Sequence, residues 1–79
     1  MKYLEEIKNG DCFIHDNFVY LLTSDFKKDG SKLSYRLDNG FPQWFNNTVI
    51  VEDIQIYRMD KQNNIIPIKE TTKNDANLL

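Results

Sequence analysis

The sequence predicts a small all-β domain built as an antiparallel barrel of five or six strands, and three observations predict it. Residues 18–23, 33–37 and 54–57 carry aromatic or β-branched side chains at alternate positions, the period of a strand and not of a helix. Asp29-Gly30 and Asn39-Gly40 punctuate these runs with residues that tolerate positive φ. A single cysteine, Cys12, excludes an intramolecular disulfide, so the barrel core alone must hold the chain together.

The elements follow in order. Leu4 and Ile7 lie three apart, which suits a helical turn laid across one end of the barrel and ended by Asn9-Gly10. Residues 11–15 form a first strand with Phe13 as its largest apolar side chain, and His15-Asp16-Asn17 turns tightly into a second strand, 18–24. The second strand is apolar on both faces, as expected in a strongly curved sheet whose outer face is also covered or used. A charged tip, 24–31, leads to a third strand, 32–37, with Leu33, Tyr35 and Leu37 on one face. Residues 41–45 form a fourth strand that Pro42 confines to an edge, because proline cannot donate to a ladder. Asn46-Asn47-Thr48 reads as a short helical turn.

Farther along, Val49 and Val51 hold odd positions while Ile54 and Ile56 hold even ones. A bulge or bend at Glu52-Asp53 would let one segment over 49–58 turn all four inward. Ile65-Ile66-Pro67-Ile68 then pairs back on residues 54–59 as a terminal hairpin, with Pro67 marking an edge. Phe13, Leu21, Leu33, Leu37 and Ile56 are the expected core, and loss of Leu37 alone should cost ~2–5 kcal/mol. The domain is expected over residues 1–68. Residues 69–79 are polar and aperiodic and read as a disordered tail whose Leu78-Leu79 can dock on a partner.

Size and charge narrow the function classes. A chain this short buries only ~60–65% of its unfolded surface, which leaves little for both a core and a deep substrate cavity. A net charge of −2 disfavours tight duplex binding. No apolar run approaches the ~18–20 residues of a membrane span, and one cysteine fits a reducing compartment, so a soluble cytoplasmic protein without membrane contact is expected. The Asn46-Asn47-Thr48 sequon then carries no glycan.

Catalytic and metal readings fail on spacing. Cys12 and His15 lie three apart, but a structural zinc site needs four ligands, and within a strand the two point to opposite faces. The adjacent carboxylates Glu5-Glu6 and Glu52-Asp53 diverge in the same way and read as solvated turn residues. No enzyme activity, metal or cofactor is expected.

Two binding surfaces are legible. Lys27, Lys28, Lys32 and Arg36 alternate with Phe26 and Tyr35 around one hairpin, the composition that single-stranded nucleic acid exploits through phosphate attraction and stacking. Phe41, Pro42, Trp44 and Phe45 crowd the proline-bent edge, and one of Trp44 and Phe45 must face away from the core. Trp44 is the expected outward residue and, with Phe41, Pro42 and Tyr20 from the outer face of the second strand, the expected protein-binding anchor.

The succession Gly10-Asp11-Cys12-Phe13, Tyr20-Leu21-Leu22-Thr23, Leu37-Asp38-Asn39-Gly40, Phe45 and Thr48-Val49 resembles the small SH3-like β-barrel proteins of bacteriophages and mobile elements. The resemblance covers residues 4–57 and implies scaffold and origin but transfers no active site. Such proteins typically occlude or redirect a host protein in the host cytoplasm. The expectation is a non-catalytic accessory protein that binds or inhibits a host protein; a weak single-strand binder using residues 26–36, or a homodimeric structural protein, are the alternatives.

Overall fold

A computed structural model describes residues 1–68; the expected tail lies outside the described residues. All regular structure is antiparallel β except one 3₁₀ turn, Leu4–Glu6. The strands are β1 (Lys2–Tyr3), β2 (Cys12–His15), β3 (Phe18–Phe26), β4 (Lys32–Arg36), β5 (Pro42–Phe45), β6 (Ile50–Ile54), β7 (Tyr57–Met59) and β8 (Ile65–Pro67). Six of them form one sheet in the order β1-β6-β2-β3-β4-β5, and β7 and β8 make a separate hairpin.

The turns show why the chain reverses where it does. Asp16 and Asn17 both take positive φ, at 55° and 71°, the two-residue turn whose twist matches the flanking strands. Gly30 stands at φ 91°, and a Cβ there would come 2.9 Å from the Asn47 side chain. The β3–β4 tip is thereby pinned close to the loop after β5. In that loop Asn46 Oδ1 accepts from the backbone N–H and the hydroxyl of Thr48, so the expected helical turn is an asparagine-stabilised bend.

The six-stranded sheet is rolled tightly around one aromatic cluster. Phe13 on β2 and Phe45 on β5 are three strands apart, roughly 14 Å in a flat sheet, yet their ring centroids lie 5.4 Å apart. Phe45 also meets the Tyr20 ring edge-on at 4.8 Å. Leu4, Ile7, Leu22 and Val51 complete the core. The 3₁₀ turn plugs one end, where the Leu4 and Glu5 N–H groups donate to the carbonyls of Val49 and Asn47. Leu4 and Ile7 therefore play the part their spacing predicted.

Three core assignments change. Leu33, Tyr35 and Leu37 share a face, but it is the outer one: Leu33 is buried there as expected, whereas Leu37 is 46% exposed and Tyr35 is exposed. The inward position between them is Ser34, fully buried opposite Leu22 and Gln43. Leu21 is half-buried on the outer face beside Cys12. Ile56 is half-buried beyond the end of β6. No bulge falls at Glu52-Asp53; both pair in regular register with Ile14 and Phe13. The chain instead breaks at residues 55–56, which leaves Val51 inside and Ile54 outside. The register shift lies instead between β3 and β4, from Leu22 to Phe26, where Thr23 Oγ1 bridges the Leu33 carbonyl and the Asp25 N–H.

The Ser34 hydroxyl is buried without a hydrogen-bond partner, and such a group carries an uncompensated desolvation cost. Ser34→Ala should stabilise the fold by about 1 kcal/mol, raising the melting temperature by roughly 4–8 °C. A circular-dichroism melt at or below the wild-type midpoint would show that the hydroxyl is satisfied.

The β7–β8 loop turns on Asp60. Its carboxylate accepts from the backbone N–H groups of Gln62 and Asn64 and from the Asn64 amide. These bonds, the Asn64 backbone N–H foremost, hold its pKa below the usual aspartate value. A depressed folded pKa gives stabilisation that is complete above the unfolded value of ~3.9 and lost as pH falls through the folded one. Amide exchange across Tyr57–Met59 and Ile65–Pro67, corrected for intrinsic rate, should therefore quicken below about pH 4. Asp60→Asn should remove that pH dependence.

Candidate outer-face binding surface

Strand register carries apolar side chains across the whole outer face. Ile54 stands opposite Cys12, Cys12 opposite Leu21, Leu21 opposite Tyr35 and Tyr35 opposite Pro42, and directly opposed residues of an antiparallel pair share a face. Leu33 opposite Trp44 adds the neighbouring row. At one end, Cys12, Leu21 and Ile54 join Leu37, Ile56 and Ile68 around a groove of about 600 Å³ with Asp11 and Asp53 on its lining. At the other end stands Trp44, 41% exposed, with Lys27 Nζ 4.5 Å from its ring centroid.

Trp44 and Phe45 divide as their adjacency requires: Phe45 is buried in the core and Trp44 faces outward. Pro42 shares the outer face with Trp44. Phe41 does not: it is 64% exposed, but it alternates with Pro42 and so projects to the other side of the strand. Tyr20 is corrected outright. It is 3% exposed, stacks on Phe13 and donates its hydroxyl to Gln43 Oε1 at 3.2 Å, so it is a core residue and touches no partner. The outward residues of β3 are its odd-numbered neighbours Val19 and Leu21.

The strand edge at β5 is guarded. The Arg36 N–H donates to the Phe41 carbonyl, so by alternation Gln43 and Phe45 also bond toward β4, while Pro42 and Trp44 direct their backbone groups to the open side. The N–H that Pro42 lacks is one that no neighbour in the sheet would have used. Proline there costs no ladder bond and blunts pairing by a further strand.

The four nucleic-acid candidates do not form one surface. Arg36 is clamped by Asp38 through two bonds of 2.6 and 2.9 Å and lies 3.5 Å over the Phe18 ring. The Asp38 bond raises the arginine pKa and lowers that of Asp38. Lys27 covers Trp44, Lys28 is exposed at the tip, and Lys32 is half-buried in register with Phe45. Lys32 and Arg36 belong to the face opposite Trp44.

Cys12 is buried on the outer side of β2 and His15 meets the Phe45 ring on the inner side, the divergence that the strand period required. Among the described residues no three His, Cys, Asp or Glu side chains are grouped to hold a metal, and no helix is long and apolar enough to cross a membrane. Cys12, Leu21, Leu37, Ile54 and Ile56 are the site residues that sequence reasoning missed. The signal was present in a second strand apolar on both faces. Compared with protein-family models, curated proteins and solved structures, the chain matches none.

Proposed function

We propose that this chain is a non-catalytic protein-binding module with an SH3-like curl, whose contact surface is the outer face from the Ile54–Cys12–Leu21 groove to Trp44. The observation that carries the reading is the apolar row across five strands from Ile54 to Pro42, flanked in the neighbouring row by a half-exposed tryptophan under a lysine. Exposed apolar surface that is contiguous and rimmed by charge marks interaction sites, and tryptophan is the commonest anchor of such contacts. In keeping with the resemblance to phage SH3-like proteins, the partner is a host protein in the cytoplasm, bound and inhibited by occlusion. The groove and the tryptophan act together: an apolar side chain of the partner enters the groove while Trp44 packs on the flanking surface.

The test is affinity capture from bacterial lysate with the wild-type chain, Trp44→Ala and the groove variant Leu21→Lys. A partner held by the wild type and lost from both variants is the expected result. A partner retained by both variants, or no partner at all, would remove the reading.

A further inference from the structure

Two Asn-Gly pairs stand in exposed turns of this chain, Asn9-Gly10 before β2 and Asn39-Gly40 between β4 and β5. Such a pair is chemically labile, because glycine has no side chain to screen its nitrogen and a five-membered ring can close between that nitrogen and the asparagine Cγ. The fold treats the two pairs differently. At the first, the Gly10 N–H donates to the Leu22 carbonyl at 2.7 Å, and the Leu22 N–H donates to the Asp11 carbonyl at 3.0 Å. Leu22 is fully buried, so this turn is fastened to the core strand β3 and opens only when the sheet does. At the second, the Gly40 N–H donates to the Arg36 carbonyl, 2.7 Å away within the same hairpin, at an exposed turn that opens by local fraying. Here the Asn39 side chain also folds over the following peptide, its Oδ1 accepting from the Phe41 N–H at 2.9 Å. That donor polarises the Asn39 side-chain carbonyl and faces the oxygen on which negative charge builds when a nucleophile adds to Cγ.

We propose that Asn39 is a site of self-modification, in which the Gly40 nitrogen displaces the side-chain amide of Asn39. The Gly40 nitrogen gives its proton to solvent base and bonds to Asn39 Cγ. The Cγ–Nδ2 bond breaks, and Nδ2 takes a proton from solvent and leaves as ammonia, so that a cyclic imide remains. Water then opens the ring at either carbonyl. Cleavage of the bond from the Gly40 nitrogen to Cγ leaves an aspartyl residue. Cleavage of its bond to the main-chain carbonyl carbon leaves an isoaspartyl residue, whose backbone is one methylene longer. Either product sets a second carboxylate beside Asp38, which already holds Arg36 through two bonds. The longer backbone also disrupts the turn bonds that join Arg36 to Gly40 and to Phe41, and so loosens β5, the strand that carries Pro42 and Trp44. The modification site itself stands whether or not the outer face binds a partner.

Ageing the full chain in mildly alkaline buffer, native and in urea, and mapping its peptides by mass spectrometry tests this. In the native chain Asn39 should convert at least about tenfold faster than Asn9, because the Asn9 turn must first be released from β3. In urea the two rates should converge, since the turns that separate them are gone. Aspartyl and isoaspartyl products should both appear at position 39, the mark of the cyclic route; direct hydrolysis of the side-chain amide yields the aspartyl residue alone. An Asn39 that stays intact, an Asn9 rate equal to or above that of Asn39 in the native chain, the same rate ratio in urea as in buffer, or an aspartyl product alone would each overturn the proposal.

Discussion

Phe45→Ala is expected to unfold the domain. Phe45 sits edge-on to Phe13, Tyr20 and His15 at centroid distances of 5.4, 4.8 and 5.1 Å and is the contact by which β5 closes over β2. Removing a buried phenylalanine costs ~3–5 kcal/mol, and a domain of this size holds only about 5–10 kcal/mol in all. The loss should lie at the upper end of that range, because Phe13, Tyr20 and His15 all pack on this one ring. In urea, Phe45→Ala should show a midpoint shifted to near zero denaturant. Leu37→Ala is the contrasting control: with Leu37 46% exposed on the outer face, it should cost about 1 kcal/mol or less. Equal destabilisation by the two would mean that the outer face is packed as tightly as the core.

That contrast also marks what the sequence disclosed. The period-2 runs, the Asp16-Asn17 turn, the β5 edge at Pro42 and the terminal hairpin through Asp60 were all local signals, set by backbone chemistry within a few residues. Parity was legible too, since Leu33, Tyr35 and Leu37 do share a face. Which face turns inward was not. Tyr35 and Leu37 are larger and more apolar than Ser34, and composition alone favours them as core, yet of the three residues on that face only Leu33 is buried. The rings of Phe13, Tyr20 and Phe45, brought together by curvature over three strands, fill the interior and leave β4 room for a serine. Volume matching of this kind depends on distant residues, and close packing enforces it at the scale of a methylene group. The same reversal exposes Tyr35 beside Pro42 and so extends the candidate surface beyond Trp44.

Trp44→Ala should reduce partner affinity by about 30- to 1,000-fold, the equivalent of ~2–4 kcal/mol for a central interface tryptophan, while shifting the melting temperature by only a few degrees. The two effects separate because Trp44 faces solvent on an edge strand, where its contribution to folding is limited to the Leu33 pairing and the Lys27 contact. Lys27→Ala gives a graded intermediate: the cation over the ring contributes ~0.5–1 kcal/mol at an exposed site, so its loss should weaken binding several-fold by freeing the ring to rotate. Leu21→Lys places a charge at the mouth of the groove without touching Trp44, and a partner that spans both must lose affinity in each variant. Measured by calorimetry with the captured partner, a double variant whose loss is smaller than the sum of the two would show that groove and tryptophan seat one continuous segment. Full additivity would make them independent contacts, and a loss confined to Leu21→Lys would move the anchor from Trp44 to the groove.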